Sequence, residues 1–225
     1  QEMYYLYTRQ QNISRYCRGA EQVFSGGIPC RLEIMVTSAD GTKEKNHGNM
    51  KVAIFCSANE NIEPVYFEKT RELGEWLAKN GDSIVFGGCD MGLMECVAKA
   101  AYDAGGMTIG VVPSKIEENG HVSQYLSVEI PCDNLSDRKD LMLLKSDVVV
   151  ALPGGLGTLD EIFTVAASST IGYHNKRVIL YNINGFWNTL IALLDDLQQR
   201  GMIRGDYHRH IEIADSFEQL KQLLG

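Results

Sequence analysis

The chain has 225 residues, 44% of them hydrophobic, and a formal net charge of -8. That length and apolar content suit one well-packed domain with room for a small appendage. The acidic balance argues against a surface built to neutralise a nucleic-acid backbone or an anionic membrane, so an anionic ligand must be held by local chemistry.

In chain order, residues 1 to 49 come first and keep no regular period. They are rich in Tyr and Gln, with one alternating run from Leu32 to Val36 before the turn-forming Asp40 and Gly41. They read as an appendage of unassigned role, followed by a domain over residues 50–225. From Lys51 onward, short β-branched runs alternate with segments of helical period, the pattern of a parallel sheet with crossover helices. Val52 to Cys56 is the first strand, and Pro64 opens a helix with Tyr66, Thr70, Leu73 and Leu77 on one stripe, stopped by Asn80 and Gly81. Ile84 to Phe86 runs into Gly87 and Gly88, and Leu93, Cys96, Val97, Ala100 and Ala101 form the next stripe. Strands follow at Thr108 to Val112 and around Val128 to Ile130, then a helix from about Ser136, then the very apolar Val148 to Leu152, expected to be central. A helix from Leu159, a strand at Val178 to Tyr181 and a helix carrying Trp187, Leu190, Ile191, Leu194 and Leu197 come next. The tail predicts a strand at Ile211 to Ile213 and a helix opened by Asp215 with Glu218 as its capping partner. The fold class is α/β: a Rossmann-like, doubly wound, mostly parallel sheet with helices on both faces.

Six cysteines, at 17, 30, 56, 89, 96 and 132, include no C-x-x-C pair, in a chain too large to depend on disulfides. No apolar run approaches the roughly 18 to 20 residues of a membrane span, and no basic stretch leads into an apolar core at the N-terminus. Reduced thiols in a cytoplasmic protein are expected. The histidines form no H-E-x-x-H; His208 and His210 would share one side of a strand, but solvated edge histidines are the simpler reading and no metal is expected.

Pro153, Gly154, Gly155, Leu156, Gly157 and Thr158 follow the most apolar strand and precede a helix, with Asp160 and Glu161 expected in its first turn. Small residues let backbone N–H groups approach a phosphate, the helix N-terminus adds partial positive charge, and Thr158 adds a hydroxyl donor. A tight turn with ordinary helix-start acids is the plainer alternative, but three glycines and a Thr in this context favour phosphate. Cys56 to Asn59, the first βα turn, has no glycine, which argues against a NAD oxidoreductase. Gly87 and Gly92 have Walker-like spacing, yet Leu93 and Met94 stand where Lys and Ser or Thr are required. Asp137, Arg138, Lys139 and Asp140, on spacing alone, read as a solvated helix start.

Taken together, Arg138 and Lys139 followed by Pro153, Gly154, Gly155, Gly157, Thr158 and Glu161 resemble the Lonely Guy family of nucleoside-monophosphate phosphoribohydrolases. The resemblance extends to Phe55 to Ser57, Phe86 to Gly88, Gly92 to Met94, Gly110 to Pro113, and Gly172, His174 and Lys176, covering most of residues 51–203. It implies hydrolysis of the N-glycosidic bond of AMP or a cytokinin riboside monophosphate to free base and ribose 5-phosphate, without a cofactor and in a homodimer or larger assembly. It also implies that Arg138 and Glu161 are the catalytic pair, with Arg138 keeping the carboxylate ionised. Gly154, Gly155, Leu156, Gly157 and Thr158 would bind phosphate, and Ser57, Gly88, Asp90, Lys139 and Asp160 would line the pocket. The lysine decarboxylase label sometimes given to the family does not suit these residues, which show no Schiff-base lysine with a partner for a pyridoxal ring. Departures fall at Leu135 and Ser136, where the family has Met and His, at Ser168 for Trp, and at Cys89 and Glu95 for glycines. They leave the preferred base open. Related molybdenum-cofactor carriers, which share the fold and a glycine-rich turn, are the alternative from another class, and a nucleotide sensor with residues 1–49 as its contact segment is a third.

Overall fold

The computed structural model describes residues 49–225; the expected appendage, with its run from Leu32 to Val36, lies outside the described residues except for Asn49. Seven strands are described: β1 (Lys51–Phe55), β2 (Ser83–Phe86), β3 (Thr108–Pro113), β4 (Val128–Cys132), β5 (Val148–Ala151), β6 (Val178–Tyr181) and β7 (Ile211–Ala214). They form one sheet in the order β4-β3-β2-β1-β5-β6-β7, with every pairing parallel. The helices are α1 (Pro64–Lys79), α2 (Gly92–Asp103), α3 (Ser114–Glu118), α4 (Leu135–Lys145), α5 (Leu156–Thr170), α6 (Asn188–Gln199) and α7 (Phe217–Leu224). The central strand is β1 rather than β5, because the sheet grows outward from both edges of β1: Val52 pairs with Ile84 on one side and Val148 on the other.

Alternation along the strands divides the core in two. Val52, Ile54 and Cys56 face Leu73 and Leu77 of α1, Leu93 and Val97 of α2, and Leu220 and Leu224 of α7. Ala53 and Phe55 face Met142 of α4, Ile162 and Val165 of α5, and Leu194 of α6. Burial on both faces explains why β1, β5 and β6 carry almost uninterrupted apolar residues. The strand order reverses between β1 and β5, and in an open sheet the crevice beyond the carboxyl ends of such strands is where ligands bind. Ser57 N–H donates to Pro153 O at 3.1 Å and so ties the two loops together there.

Two terminal expectations are corrected. The last helix is capped by Ser216, whose hydroxyl accepts from Gln219 N–H, while Gln219 Oε1 accepts from Asp215 N–H. Asp215 stands one position before that cap, and its carboxylate accepts from Asn182 Nδ2 at 2.7 Å. His208 lies inside a 3-10 turn at Tyr207–Arg209 and His210 directly follows it, so the two do not share a strand; His208 pairs with Asp206 and His210 with Ser169. Among the described residues no cluster could hold a metal ion, and no helix is long and apolar enough to cross a membrane. Of the six cysteines, Cys56, Cys89, Cys96 and Cys132 are described and all are free thiols.

Candidate active site

The turn after β5 is shorter than its glycines suggest. Pro153 to Gly155 suffice to reverse the chain, and α5 begins at Leu156 rather than Leu159. Leu156, Gly157 and Thr158 therefore form its first turn, and Leu159 N–H makes the first intrahelical bond, to Gly155 O at 3.0 Å. The N–H groups of Leu156, Gly157 and Thr158 have no intrahelical acceptor, and no side chain among the described residues caps this end. Three such donors at the positive end of a 15-residue helix make a candidate anion site. The space above it is open: a Cβ on Gly155 or Gly157 would meet nothing within 4 Å. Gly154 is different. A Cβ there would lie 2.1 Å from Thr158 Oγ1, so the Thr158 side chain, 3% exposed, braces the turn by filling the space that glycine leaves.

The earlier helix start moves Asp160 and Glu161 into the second turn, past the end of the helix where a carboxylate merely complements the dipole. Glu161 stands three residues after Thr158 and four after Gly157, hence one turn, about 5.4 Å, beneath the N–H donors on the same face. Side chains lean toward a helix's N-terminus, which tilts this carboxylate toward the anion site.

Arg138 reaches Glu161 from α4. Asn134 caps that helix by accepting from Ser136 and Asp137 N–H at 2.8 and 3.1 Å, which sets Arg138 one turn inside. An Arg138 Nη donates to Glu161 Oε1, and the guanidinium lies over bare backbone: a Cβ on Gly87 would stand 3.0 Å from Arg138 Cζ. Both side chains are largely buried, at 12% and 5% exposure. Arg138 Nε is buried with no hydrogen-bond partner among the described residues. A charged donor kept dry and unpaired opposes folding, as polar groups at functional sites often do.

Burial pushes the Glu161 carboxyl above the ordinary carboxylate range; Arg138 opposes this by charge and by hydrogen bonding, and does not reverse it. Arg138 thus acts in the expected direction, against protonation, and burial, which that expectation did not weigh, is the larger effect. Cys56, Cys89 and Cys132 lie within electrostatic reach of Arg138, but burial raises each thiol, Cys132 to about 11, so they stay protonated and are not activated nucleophiles.

The remaining expected pocket residues divide. Ser57 sits at the crevice: its hydroxyl accepts from Asn59 N–H at 3.0 Å and its carbonyl accepts from Leu93 N–H at 2.9 Å. Gly88 has φ +71°, and a Cβ there would come within 2.5 Å of Val112 Cγ2, so the fold itself demands glycine. Asp90 pairs with His121 at 3.1 Å and lines a cavity of about 650 Å³ between α1 and α2, together with Phe67, Arg71, Glu95 and Lys99. Neither Arg138 nor Glu161 lines that cavity. Lys139 and Asp160 turn to each other, at 2.7 Å. Sequence reasoning missed Asn134 and Gly87 as supports of Arg138. The signal for Asn134 was legible in an Asn with Asp137 three residues on, an N-cap pattern.

The family model described as "Possible lysine decarboxylase" matches residues 94–224. The chain is similar to the rice protein named probable cytokinin riboside 5'-monophosphate phosphoribohydrolase LOGL3, 31% identical over 174 residues that span 77% of this chain and 82% of that one. It is similar to the Arabidopsis thaliana cytokinin riboside 5'-monophosphate phosphoribohydrolase LOG5, 31% identical over 77% of this chain and 76% of that one. Among solved structures, the molybdenum cofactor binding protein from Rippkaea orientalis is 28% identical with a TM-score of 0.61, covering 79% of this chain and 96% of that one. The Moco carrier protein from Chlamydomonas reinhardtii, 23% identical with a TM-score of 0.58 over 79% of this chain and 98% of that one, shares the fold.

Proposed function

This chain belongs to the Lonely Guy family, and from that premise we propose that it hydrolyses the N-glycosidic bond of a nucleoside 5'-monophosphate, AMP or a cytokinin riboside monophosphate, releasing the base and ribose 5-phosphate. The observation that carries the reading is the buried Arg138–Glu161 pair one helical turn beneath the N–H donors of Leu156, Gly157 and Thr158. In the proposed reaction those donors, with the backbone of Gly154 and Gly155, hold the 5'-phosphate, and this remote anchoring positions the ribose. Breaking the C1'–N bond builds positive charge on the sugar. Ionised Glu161 stabilises that charge and activates the attacking water, while Arg138 orients the carboxylate and opposes its protonation. Ser57, at the crevice, keeps a hydroxyl proton to donate to the substrate.

A panel of nucleoside 5'-monophosphates, incubated with the protein and chromatographed for free base and ribose 5-phosphate, tests the reading. Release of base that is lost in both Arg138→Ala and Glu161→Gln is the expected result. A second reading, a non-catalytic carrier of a molybdenum cofactor or nucleotide, draws on the similarity to the Rippkaea protein. Tight binding with no base released from any nucleotide would favour it. A homodimer or larger assembly, in the cytoplasm where thiols stay reduced, belongs to the same proposal. Leu135, Leu144, Leu156 and Ile171, on α4, on α5 or next to its end, are large apolar side chains left exposed, as a subunit contact requires. Sedimentation showing only a monomer at assay concentration would refute that part.

A further inference from the structure

Two ion pairs bridge α4 and α5 side by side. Arg138 contacts Glu161, and the neighbouring residue on each helix repeats the contact: Lys139 Nζ lies 2.7 Å from Asp160 Oδ2 and 3.1 Å from Thr164 Oγ1. Successive helical residues point about 100° apart. The two bridges therefore straddle the line of contact between the helices, Arg138–Glu161 on the inner side and Lys139–Asp160 toward solvent, where Asp160 is 58% exposed. One bridge alone would let the helices roll about it; two on opposite sides of the contact do not. Thr164 stands one turn beyond Asp160, so Lys139 grips α5 at two levels, and a shift of α4 along α5 would break one of the two bonds.

We infer that Lys139 is a positioning residue, which with Asp160 and Thr164 sets the register of α4 on α5 and so holds the Arg138 guanidinium on Glu161. This rests on the reading of Glu161 as the reacting carboxylate. The family resemblance implies that Lys139 and Asp160 line the substrate pocket; in the structure the two charges pair with each other. The charged and titratable groups around Glu161 are Arg138 and Lys139 from α4, Asp160 from its own helix, and Cys56 directly after β1. Burial is the largest influence on its proton affinity, and beyond Arg138 it is Asp160 that raises it and Lys139 that lowers it. Loss of the Lys139 charge leaves Asp160 unopposed, and loss of the Asp160 charge leaves Lys139 unopposed.

The experiment compares wild type, Lys139→Met, Asp160→Asn and Lys139→Arg by kcat and KM across pH, with melting curves to verify folding. Lys139→Met is expected to lower kcat about tenfold through misplacement of the pair, with KM within about twofold. Its acid limb should move up by about half a pH unit, while that of Asp160→Asn moves down by a similar amount. Lys139→Arg should restore both kcat and profile. The same opposite shifts should appear in the carbon-13 titration of the Glu161 carboxyl in ligand-free protein, assigned by its disappearance in Glu161→Gln. Shifts of the same sign, or none, overturn the inference, as does a large rise in KM with kcat kept, which would make Lys139 a substrate contact. Wild type that releases no base refutes the proposed function, and the carboxyl titration then still decides whether the bridge positions Glu161.

Discussion

Replacing Glu161 with Gln isolates the charge of the proposed catalytic group. The amide keeps nearly the same volume and the oxygen that accepts from Arg138, so the α4–α5 contact survives while the anion is lost. Two opposite unit charges about 4 Å apart attract by about 1 kcal/mol in bulk water and about 4 kcal/mol at an effective dielectric near 20. With Glu161 only 4% exposed, the second figure is the appropriate one. About 4 kcal/mol withdrawn from the transition state is about a thousandfold in kcat. Because the phosphate donors belong to the backbone of the first turn of α5, KM should stay within about threefold. The assay is release of adenine from AMP under saturating substrate, with a melting curve beside it. A folded Glu161→Gln protein whose kcat lies within tenfold of wild type would refute the assignment, since no electrostatic role for a buried carboxylate is then left.

Other outcomes follow from the same geometry. Burial raises the Glu161 carboxyl, so base release should fall on the acid side with a midpoint above the ordinary 4.5; a midpoint at or below that value would mean that Arg138 outweighs desolvation. The sign for stability is the reverse: a raised folded-state value means that this carboxyl's contribution is fully present below its unfolded value and is lost as pH rises through the folded one, which pH-dependent denaturation will detect. Gly154→Ala puts a Cβ 2.1 Å from Thr158 Oγ1, so it should cost about 1–3 kcal/mol in stability and disorder the anion site, with Thr158→Gly partly restoring both in the double variant. Gly87→Ala crowds the Arg138 guanidinium at 3.0 Å and should lower kcat without raising KM, whereas equal wild-type kinetics would show that Arg138 yields freely. Asn134→Ala should lower stability by about 1 kcal/mol through the lost cap of α4, measured by urea titration.

The α/β class, the strand sequence and most helix faces were legible because burial on both sides of a parallel sheet leaves apolar runs of strand length between segments of helical period. Placing β5 at the centre failed because apolarity reports burial and not position, and β1 and β5 are equally buried. The start of α5 was missed because glycine was read as turn, when only Pro153 to Gly155 turn and Gly157 sits inside the helix. In the tail, Asp215 was a chemically sound cap that stands one position before the actual one, Ser216, and a distant residue, Asn182, engages its carboxylate. That kind of long-range partner cannot be seen along a chain. The opposing influences on Glu161 were likewise recognisable as types, but which one prevails depends on depth of burial, a property of the packed molecule.

The departures from the family's pattern are also redistributed by the fold. Ser168 stands seven residues beyond Glu161 on α5, about 10 Å along the axis, and its hydroxyl is engaged with Thr164 O at 2.6 Å and His174 Nε2 at 2.9 Å. Glu95 lines the cavity between α1 and α2. Neither substitution therefore touches the Arg138–Glu161 pair: Ser168 lies two turns farther along the same face of α5, and Glu95 lines a cavity that neither member of the pair reaches. Leu135 and Ser136, by contrast, open the helix that carries Arg138, and Leu135 is exposed there. Cys89 follows directly on Gly88, in the loop whose Gly87 supports the guanidinium. A change in base preference should therefore trace to residues 89, 135 and 136 rather than to 95 or 168. Exchanging the first set for the family's residues should redistribute turnover across the nucleotide panel, while exchanging the second should leave the ratios between nucleotides unchanged even where it alters stability. The opposite pattern would mean that the base is read from the far end of α5, and that the ribose lies along the helix instead of across its N-terminus.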